Sequence, residues 1–173
     1  GGIRTAHAYD EFRSFIAKLQ IPVCTAWNAH DLMADDDELY AGRPGTVGTR
    51  GGNFVIQNAD LVISLACRMN VRQVSYNWEN FARGAYLVAI DIDEAELAKP
   101  TLSIDLPIHV DIRDFLGVAN RHPECFDRSE HQSWHEFCQN LNRLYPADLP
   151  AYKERRTPVN PYYFLDVLSR RLP

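Results

Sequence analysis

This chain of 173 residues lacks several features that would place it in a special class of protein. Basic residues do not exceed acidic ones and the formal net charge is −5, so the sequence does not predict a nucleic-acid partner. No apolar run approaches the roughly 20 residues that a membrane-spanning helix needs. The chain does not open with the basic and apolar stretch of a secretion signal. We therefore expect a soluble globular protein without a membrane partner.

The sequence also lacks metal-site and phosphate-site signatures. Neither GxGxxG nor GxxxxGK[ST] occurs. None of the four cysteines belongs to a CxxC pair, so no zinc site is predicted, and we interpret them as reduced and mostly buried, as in a cytoplasmic protein. His131 and His135 have a spacing that suits a metal, but no third ligand lies nearby. We predict no metal site.

Short apolar segments alternate with helical segments over the first 120 residues. Strands are predicted at residues 21–25, 61–65, 86–90 and 106–110. Helices or helical turns are predicted at residues 5–19, 29–33, 52–58, 94–99 and 112–120. A polar loop is predicted at residues 67–76, and no Asn-Gly hairpin turn is present. This alternation predicts an α/β fold, a Rossmann-like three-layer domain with a parallel sheet and helices on both faces.

The character of the chain changes after residue 120. We predict a Rossmann-like domain over residues 1–120, a C-terminal helix within 121–145, a linker over 146–160 and the start of another domain over 161–173. Ser129 and Gln132 fit a capping box for the helix, and Pro161 suits the first turn of a further helix. Both ends look interrupted, so we expect an excised domain.

Ligands of doubly wound sheets bind at the carboxyl ends of the strands. The glycine-rich segment 42–53 could let backbone approach phosphates there, and Asp91 and Asp93 could grip a ribose hydroxyl. Nearby cations that could pair with phosphate are Arg43, Arg50, Arg68 and Arg72. The same glycines can instead build turns, and the two aspartates can cap the helix that follows. The residues alone leave both interpretations open.

Several motifs stand in a fixed order along the chain. They are GGIR at 1–4, PVCTAW at 22–27, GRPGT at 42–46, ADLVI at 59–63, the pair at 67–68 and AIDIDEAELAK at 89–99. This order, over residues 1 to about 116, resembles the central domain of thiamine-diphosphate-dependent enzymes of the acetolactate synthase type. The segment NPYYFL at 160–165 is similar to the start of their last, diphosphate-binding domain.

The resemblance implies a parent enzyme with three α/β domains. Thiamine diphosphate and magnesium would be held by the N- and C-terminal domains, so no catalytic residue and no metal ligand is assigned to this chain. The parent is implied to decarboxylate a 2-keto acid, to transfer the remaining unit to an acceptor, and to be a homodimer or homotetramer. The alternative is a free-standing FAD- or ADP-binding or regulatory module of the same fold.

Some members of the family hold FAD or an ADP-like group in this domain. By motif position, the residues predicted to lie nearest such a nucleotide are Thr25, Gly45, Arg68, Asp91 and Asp93. Two departures weaken the expectation of FAD. Pro44 removes one backbone N–H from the glycine segment, and Trp27 stands where a small residue is expected near the flavin.

Overall fold

Three parallel strands form the sheet in a computed structural model that describes residues 1–125, 131–154 and 157–172. In the order β1-β2-β3 they are β1 (Leu61–Leu65), β2 (Tyr86–Asp91) and β3 (Leu106–His109). The register pairs Leu61 with Tyr86 and Val88 with Leu106. Their apolar runs suit strands that are covered on both faces.

Helices alternate with these strands. They are α1 (Gly2–Thr5), α2 (Tyr9–Leu19), α3 (Arg50–Asn58), α4 (Val71–Val74), α5 (Glu94–Leu97), α6 (Ile112–Arg121), α7 (Gln132–Leu144), α8 (Pro150–Glu154) and α9 (Pro161–Ser169). Short 3₁₀ turns occupy His30–Leu32, Trp78–Asn80 and Pro123–Cys125. In the part of the chain that the structure describes, no helix is both long enough and apolar enough to cross a membrane.

The two faces of the sheet are buried by different helices. Ile63 and Ile90 point to one face, where they join the core cluster that α2 and α6 provide. Val62 and Leu87 point to the other face, where Ile56 of α3 packs against them. Because successive strand residues alternate between faces, both faces need apolar partners. The predicted three-layer α/β fold with a parallel sheet is confirmed.

Three of the predictions for individual segments are corrected by the structure. The helix predicted at 5–19 is broken because His7 has a φ of 52°, which ends α1 and redirects the chain before α2. The segment 21–25 is not a strand, since only Val23 forms a bridge, to Tyr40. The loop 67–76 contains α4. The helix α8 lies within the segment 146–160, whose role as a linker stays a prediction.

Two predictions concern residues whose surroundings the sequence could not fix. Ser129 of the capping box lies outside the described residues, and α7 begins at Gln132 without a side-chain cap bond from His131. All four cysteines are free thiols, but of these only Cys138 is fully buried and Cys125 is exposed. The expectation that they are mostly buried is therefore wrong in this detail.

Candidate functional site

Three of the five predicted nucleotide residues meet at the carboxyl edge of the sheet. Arg68 follows β1, Asp91 ends β2, and Asp93 lies two residues farther along. Because neighbouring parallel strands end at the same edge, these side chains share one region. The carboxylate of Glu96, with smaller effects from Asp93 and Asp91, raises the pKa of the Arg68 guanidinium. The edge is therefore a charged surface with both signs present.

Both aspartates at this edge form local hydrogen bonds. An Asp91 carboxylate oxygen accepts from the N–H of Asp93 at 3.0 Å. An Asp93 carboxylate oxygen accepts from the N–H of Ala95 at 2.9 Å and so caps α5. The capping interpretation is thus what the structure shows for Asp93. In both aspartates the oxygen that accepts is Oδ1, and Oδ2 takes no part in these two bonds.

Glu96 connects the loop after β1 to α5, a role that was not predicted from the sequence. Its carboxylate accepts from Arg68 Nε at 2.7 Å and from Lys99 Nζ at 2.9 Å. Lys99 also donates to the carbonyl oxygens of Arg68 and Met69. The signal was present as a glutamate and a lysine three residues apart, a spacing that brings side chains together on a helix, although Lys99 lies two residues beyond the end of α5.

Replacing Glu96 by glutamine is expected to lower stability at neutral pH and to matter less in acid. Hydrogen bonds from Lys99 and then Arg68 hold the pKa of Glu96 below its ordinary value of 4.5, against the opposing effect of partial burial. A lowered folded-state pKa stabilises the fold at pH values above 4.5, and this stability is lost as pH falls through the lower value. We expect a loss of about 0.5–1 kcal/mol at pH 7, because Arg68 is largely exposed.

Thermal unfolding of both proteins between pH 7 and pH 3 measures this effect. The difference in Tm should be about 1–4 °C at pH 7 and should close as pH falls below the ordinary glutamate range. Glu94→Gln is the matched control, because Glu94 is exposed and forms no ion pair among residues 1–125, 131–154 and 157–172. A Tm difference for Glu96→Gln that stays constant with pH would contradict the assignment.

Thr25 belongs to a second group, beside the glycine segment. Its N–H donates to the carbonyl oxygen of Gly42 at 3.1 Å, and its side chain is buried. The Thr25 hydroxyl makes no hydrogen bond of normal geometry within the described part of the chain, although it lies close to the Tyr40 phenol. Burial raises the pKa of Tyr40, and the Arg43 guanidinium and the Thr25 hydroxyl act against that rise.

Gly45 is held by the side chain of Asn53. Its N–H donates to the Asn53 side-chain oxygen at 2.8 Å, and its carbonyl accepts from the Asn53 nitrogen at 3.2 Å. With a φ of 124° and the Arg72 carbonyl oxygen where a Cβ would stand, Gly45 allows no side chain. The turn-building interpretation therefore describes Gly45 here, and a phosphate at its N–H would have to displace Asn53.

The arginines beside the glycine segment have partners within the chain. Arg72 lies over the ring of Trp27, 4.9 Å from the ring centroid. Arg43 Nη1 is 2.8 Å from Nδ1 of His30, and its Nη2 is 3.6 Å from a carboxylate oxygen of Asp35. Trp27 is nearly half exposed, so this cluster forms a cationic and aromatic surface.

The residues with metal-compatible spacing do not assemble into a metal centre. His135 Nε2 is 2.6 Å from the carbonyl oxygen of Glu38, so the helix α7 is fixed to the acidic loop by this histidine. Within the described ranges 1–125, 131–154 and 157–172, no group of three or more His, Cys, Asp or Glu side chains could hold a metal ion. We interpret the surface of α7 around His135 as a packing surface against the acidic loop.

Residues 1–118 match the family model described as the thiamine pyrophosphate enzyme, central domain. The acetolactate synthase isozyme 1 large subunit of Escherichia coli (strain K12) is 31% identical over 150 residues, which cover 87% of this chain and 25% of that protein. The acetolactate synthase large subunit of Lactococcus lactis subsp. lactis is 36% identical over 117 residues, 68% of this chain and 20% of that protein.

A probable acetolactate synthase large subunit of Methanococcus aeolicus is 26% identical over 167 residues, 93% of this chain and 28% of that protein. The chain thus spans between 20% and 28% of the length of these three relatives. The family match covers the whole sheet and the residues of its carboxyl edge. The resemblance inferred from the ordered motifs is confirmed, and the chain belongs to the central-domain family of thiamine pyrophosphate enzymes.

Proposed function

We propose that this chain is the central domain of an acetolactate-synthase-like enzyme that uses thiamine diphosphate, the cofactor also called thiamine pyrophosphate. The parent would decarboxylate a 2-keto acid and join the remaining unit to an acceptor. The observation that carries the proposal is the match of residues 1–118 to this family. The names of the relatives, all acetolactate synthases, support the reaction class.

The residues of this chain do not fit thiamine diphosphate or its metal ion. The sequence contains no Gly-Asp-Gly segment, and the described residues contain no metal-binding group of His, Cys, Asp or Glu. We therefore assign no catalytic step to this chain. Thiamine diphosphate and magnesium are proposed for the N- and C-terminal domains of the parent, and residues 161–173 for the start of the C-terminal one.

An exposed apolar helix supports the presence of a neighbouring domain. The helix α9 carries apolar side chains that are each more than a third exposed, at Tyr162, Phe164, Leu165 and Leu168. Such a cluster is typical of a surface that another domain or protein covers. We propose that residues 161–172 pack against the rest of the C-terminal domain, and that the parent forms a homodimer or homotetramer.

We also propose where a nucleotide such as FAD or ADP would contact the domain. Arg68 uses its Nε for Glu96 but is 76% exposed, so its other guanidinium nitrogens can reach a phosphate. Asp91 and Asp93 each keep an oxygen outside the local bonds for a ribose hydroxyl. Thr25 and Gly45 would act from the glycine segment, provided that Asn53 releases the Gly45 N–H.

Isothermal titration with FAD and with ADP tests this nucleotide assignment. If either binds, Arg68→Met should weaken it about tenfold, the effect expected for losing a charged hydrogen bond. The matched control is Arg113→Met, because Arg113 is also exposed and also pairs with a glutamate, Glu11 at 3.1 Å. Equal affinity of the wild-type and Arg68→Met proteins would overturn the assignment of Arg68.

The proposed reaction is tested on the full-length polypeptide by measuring carbon dioxide release from 2-keto acids, beginning with pyruvate. Release is expected with thiamine diphosphate and Mg²⁺ and should stop when either is withheld. Residues 1–173 alone should release none. A full-length protein that is folded and loaded with the cofactor, yet decarboxylates no 2-keto acid, would contradict the proposed function.

A further inference from the structure

An apolar slot separates strand β1 from the extended segment 21–25. It is a cavity of about 240 Å³ that both segments line. Its other walls come from α2 on one side and from α3 and α7 on the other, through Phe12, Phe15, Ile16, Val55, Ile56 and Trp134. A folded domain seldom keeps an apolar cavity of this size, because unfilled space forfeits packing contacts.

The strand β1 presents an unpaired backbone edge to this slot. Its bonds to β2 include one from the N–H of Tyr86 to the carbonyl of Asp60, and one from the N–H of Ala66 to the carbonyl of Ile90. The even-numbered residues of β1 therefore direct their backbone N–H and C=O groups toward β2. The odd-numbered residues direct theirs away from β2. No backbone partner on that side exists within the described residues for Leu61, Ile63 and Leu65.

The segment 21–25 presents a second unpaired edge. Val23 bonds the other way, donating to Leu39 at 2.7 Å and accepting from Ala41 at 2.8 Å. The alternation of backbone directions then turns the N–H and C=O of Cys24 toward the slot. Neither group has a backbone partner in the described part of the chain. This explains why a segment with strand-like sequence forms only an isolated bridge.

The residues Gly1 and Gly2 lie at one end of the slot, between the residues that follow β1 and those that follow the segment 21–25. A Cβ on Gly2 would clash with Ala66, the residue after β1. A Cβ on Gly1 would lie 3.0 Å from the side chain of Asn28, which follows the segment 21–25. The backbone thus passes between the two edges at their carboxyl ends and then enters α1. A parallel strand followed by a helix has this geometry.

We propose that the slot receives a β-strand of the same polypeptide, supplied by residues N-terminal to Gly1 and running parallel to β1. The walls are apolar on both sides, so its residues should be apolar on both faces, as in a buried parallel strand. It would bond Cys24 on one side and Ile63 and Leu65 on the other, which satisfies the unpaired backbone groups. The inference rests on the proposed function only in that the chain is one domain of a longer protein.

Site-resolved amide hydrogen exchange on the full-length polypeptide tests this strand. The N–H groups of Ile63 and Leu65 are expected to exchange about as slowly as those of Val62 and Ser64, which face β2 and serve as internal controls. In residues 1–173 alone, the first pair should exchange about 100-fold faster than the controls. The exchange measurement does not depend on decarboxylation. A full-length polypeptide that is inactive but shows slow exchange at Ile63 and Leu65 would refute the proposed reaction and still support the strand.

Three results would overturn the proposal. The first is fast exchange of Ile63 and Leu65 in the full-length polypeptide while Val62 and Ser64 stay protected. The second is slow exchange of both residues in monomeric 1–173, which would mean that the slot closes on itself. The third is protection in 1–173 that appears only as protein concentration rises, which would make a second copy the occupant. The full-length measurement decides even if residues 1–173 alone are too unstable to study.

Discussion

Replacing Ile90 by alanine is expected to lower the free energy of unfolding by about 3–4 kcal/mol, because a large side chain is removed from a fully buried position in the core. Ile90 lies in the central strand β2 and is 1% exposed. It belongs to the cluster that includes Phe15 of α2 and Leu116 of α6. Deleting three carbons there loses burial in apolar surroundings and leaves a cavity that both helices border. Urea unfolding followed by circular dichroism measures the loss.

The neighbouring isoleucine provides the matched control. Ile92 is 65% exposed and lies just beyond the end of β2. The same substitution there should change the free energy of unfolding by less than about 0.5 kcal/mol. Similar losses at both positions would contradict the assignment of Ile90 to the face of β2 that α2 and α6 bury.

Replacing Gly45 by alanine is expected to cost about 2–4 kcal/mol. The added Cβ would meet the carbonyl oxygen of Arg72, and the φ of 124° is unfavourable for any residue with a side chain. The paired hydrogen bonds to Asn53 and the bond from Thr46 N–H to the Arg72 carbonyl hold the turn in place, so the strain cannot relax freely. Chemical unfolding without any nucleotide measures this cost.

Gly84 is the control for this substitution. Nothing lies within 4 Å of a Cβ placed on it, so Gly84→Ala should change stability by no more than about 0.5 kcal/mol. The comparison separates the two interpretations of the glycine segment. If Gly45→Ala leaves stability unchanged but abolishes nucleotide binding, the glycine serves a ligand and not the turn, and the structural assignment is wrong.

The parts of the fold that were predictable from sequence are those whose signal is local. The strands at 61–65, 86–90 and 106–110 are runs of apolar residues, and each lies within one residue of its predicted end. The helix at 112–120 has a regular apolar stripe and ends one residue later. In the strands the spacing of apolar residues along the segment indicates burial on both faces, and in the helix it indicates burial on one face.

The remainder depends on contacts across the chain. Nothing at His7 marks a left-handed residue, and the turn there follows from placing both Ile3 and Phe12 in the core. Residues 21–25 have a strand's composition, but pairing requires a neighbour on the slot side. At the candidate site, strand ends brought Arg68 and Asp91 together as expected, whereas the bonding of Gly45 to Asn53 required the folded loop. The domain boundaries beyond residue 120 stay a prediction.

We propose that this family domain belongs to an enzyme whose thiamine diphosphate is held outside it. Isothermal titration calorimetry with thiamine diphosphate and Mg²⁺ tests this location of the cofactor. The two samples are the full-length polypeptide and residues 1–173. Binding by the full-length polypeptide and no binding by residues 1–173 is the predicted result. Binding by residues 1–173 would place the cofactor in this domain. No binding by either sample would mean that the protein does not use this cofactor. Either result would contradict the proposal.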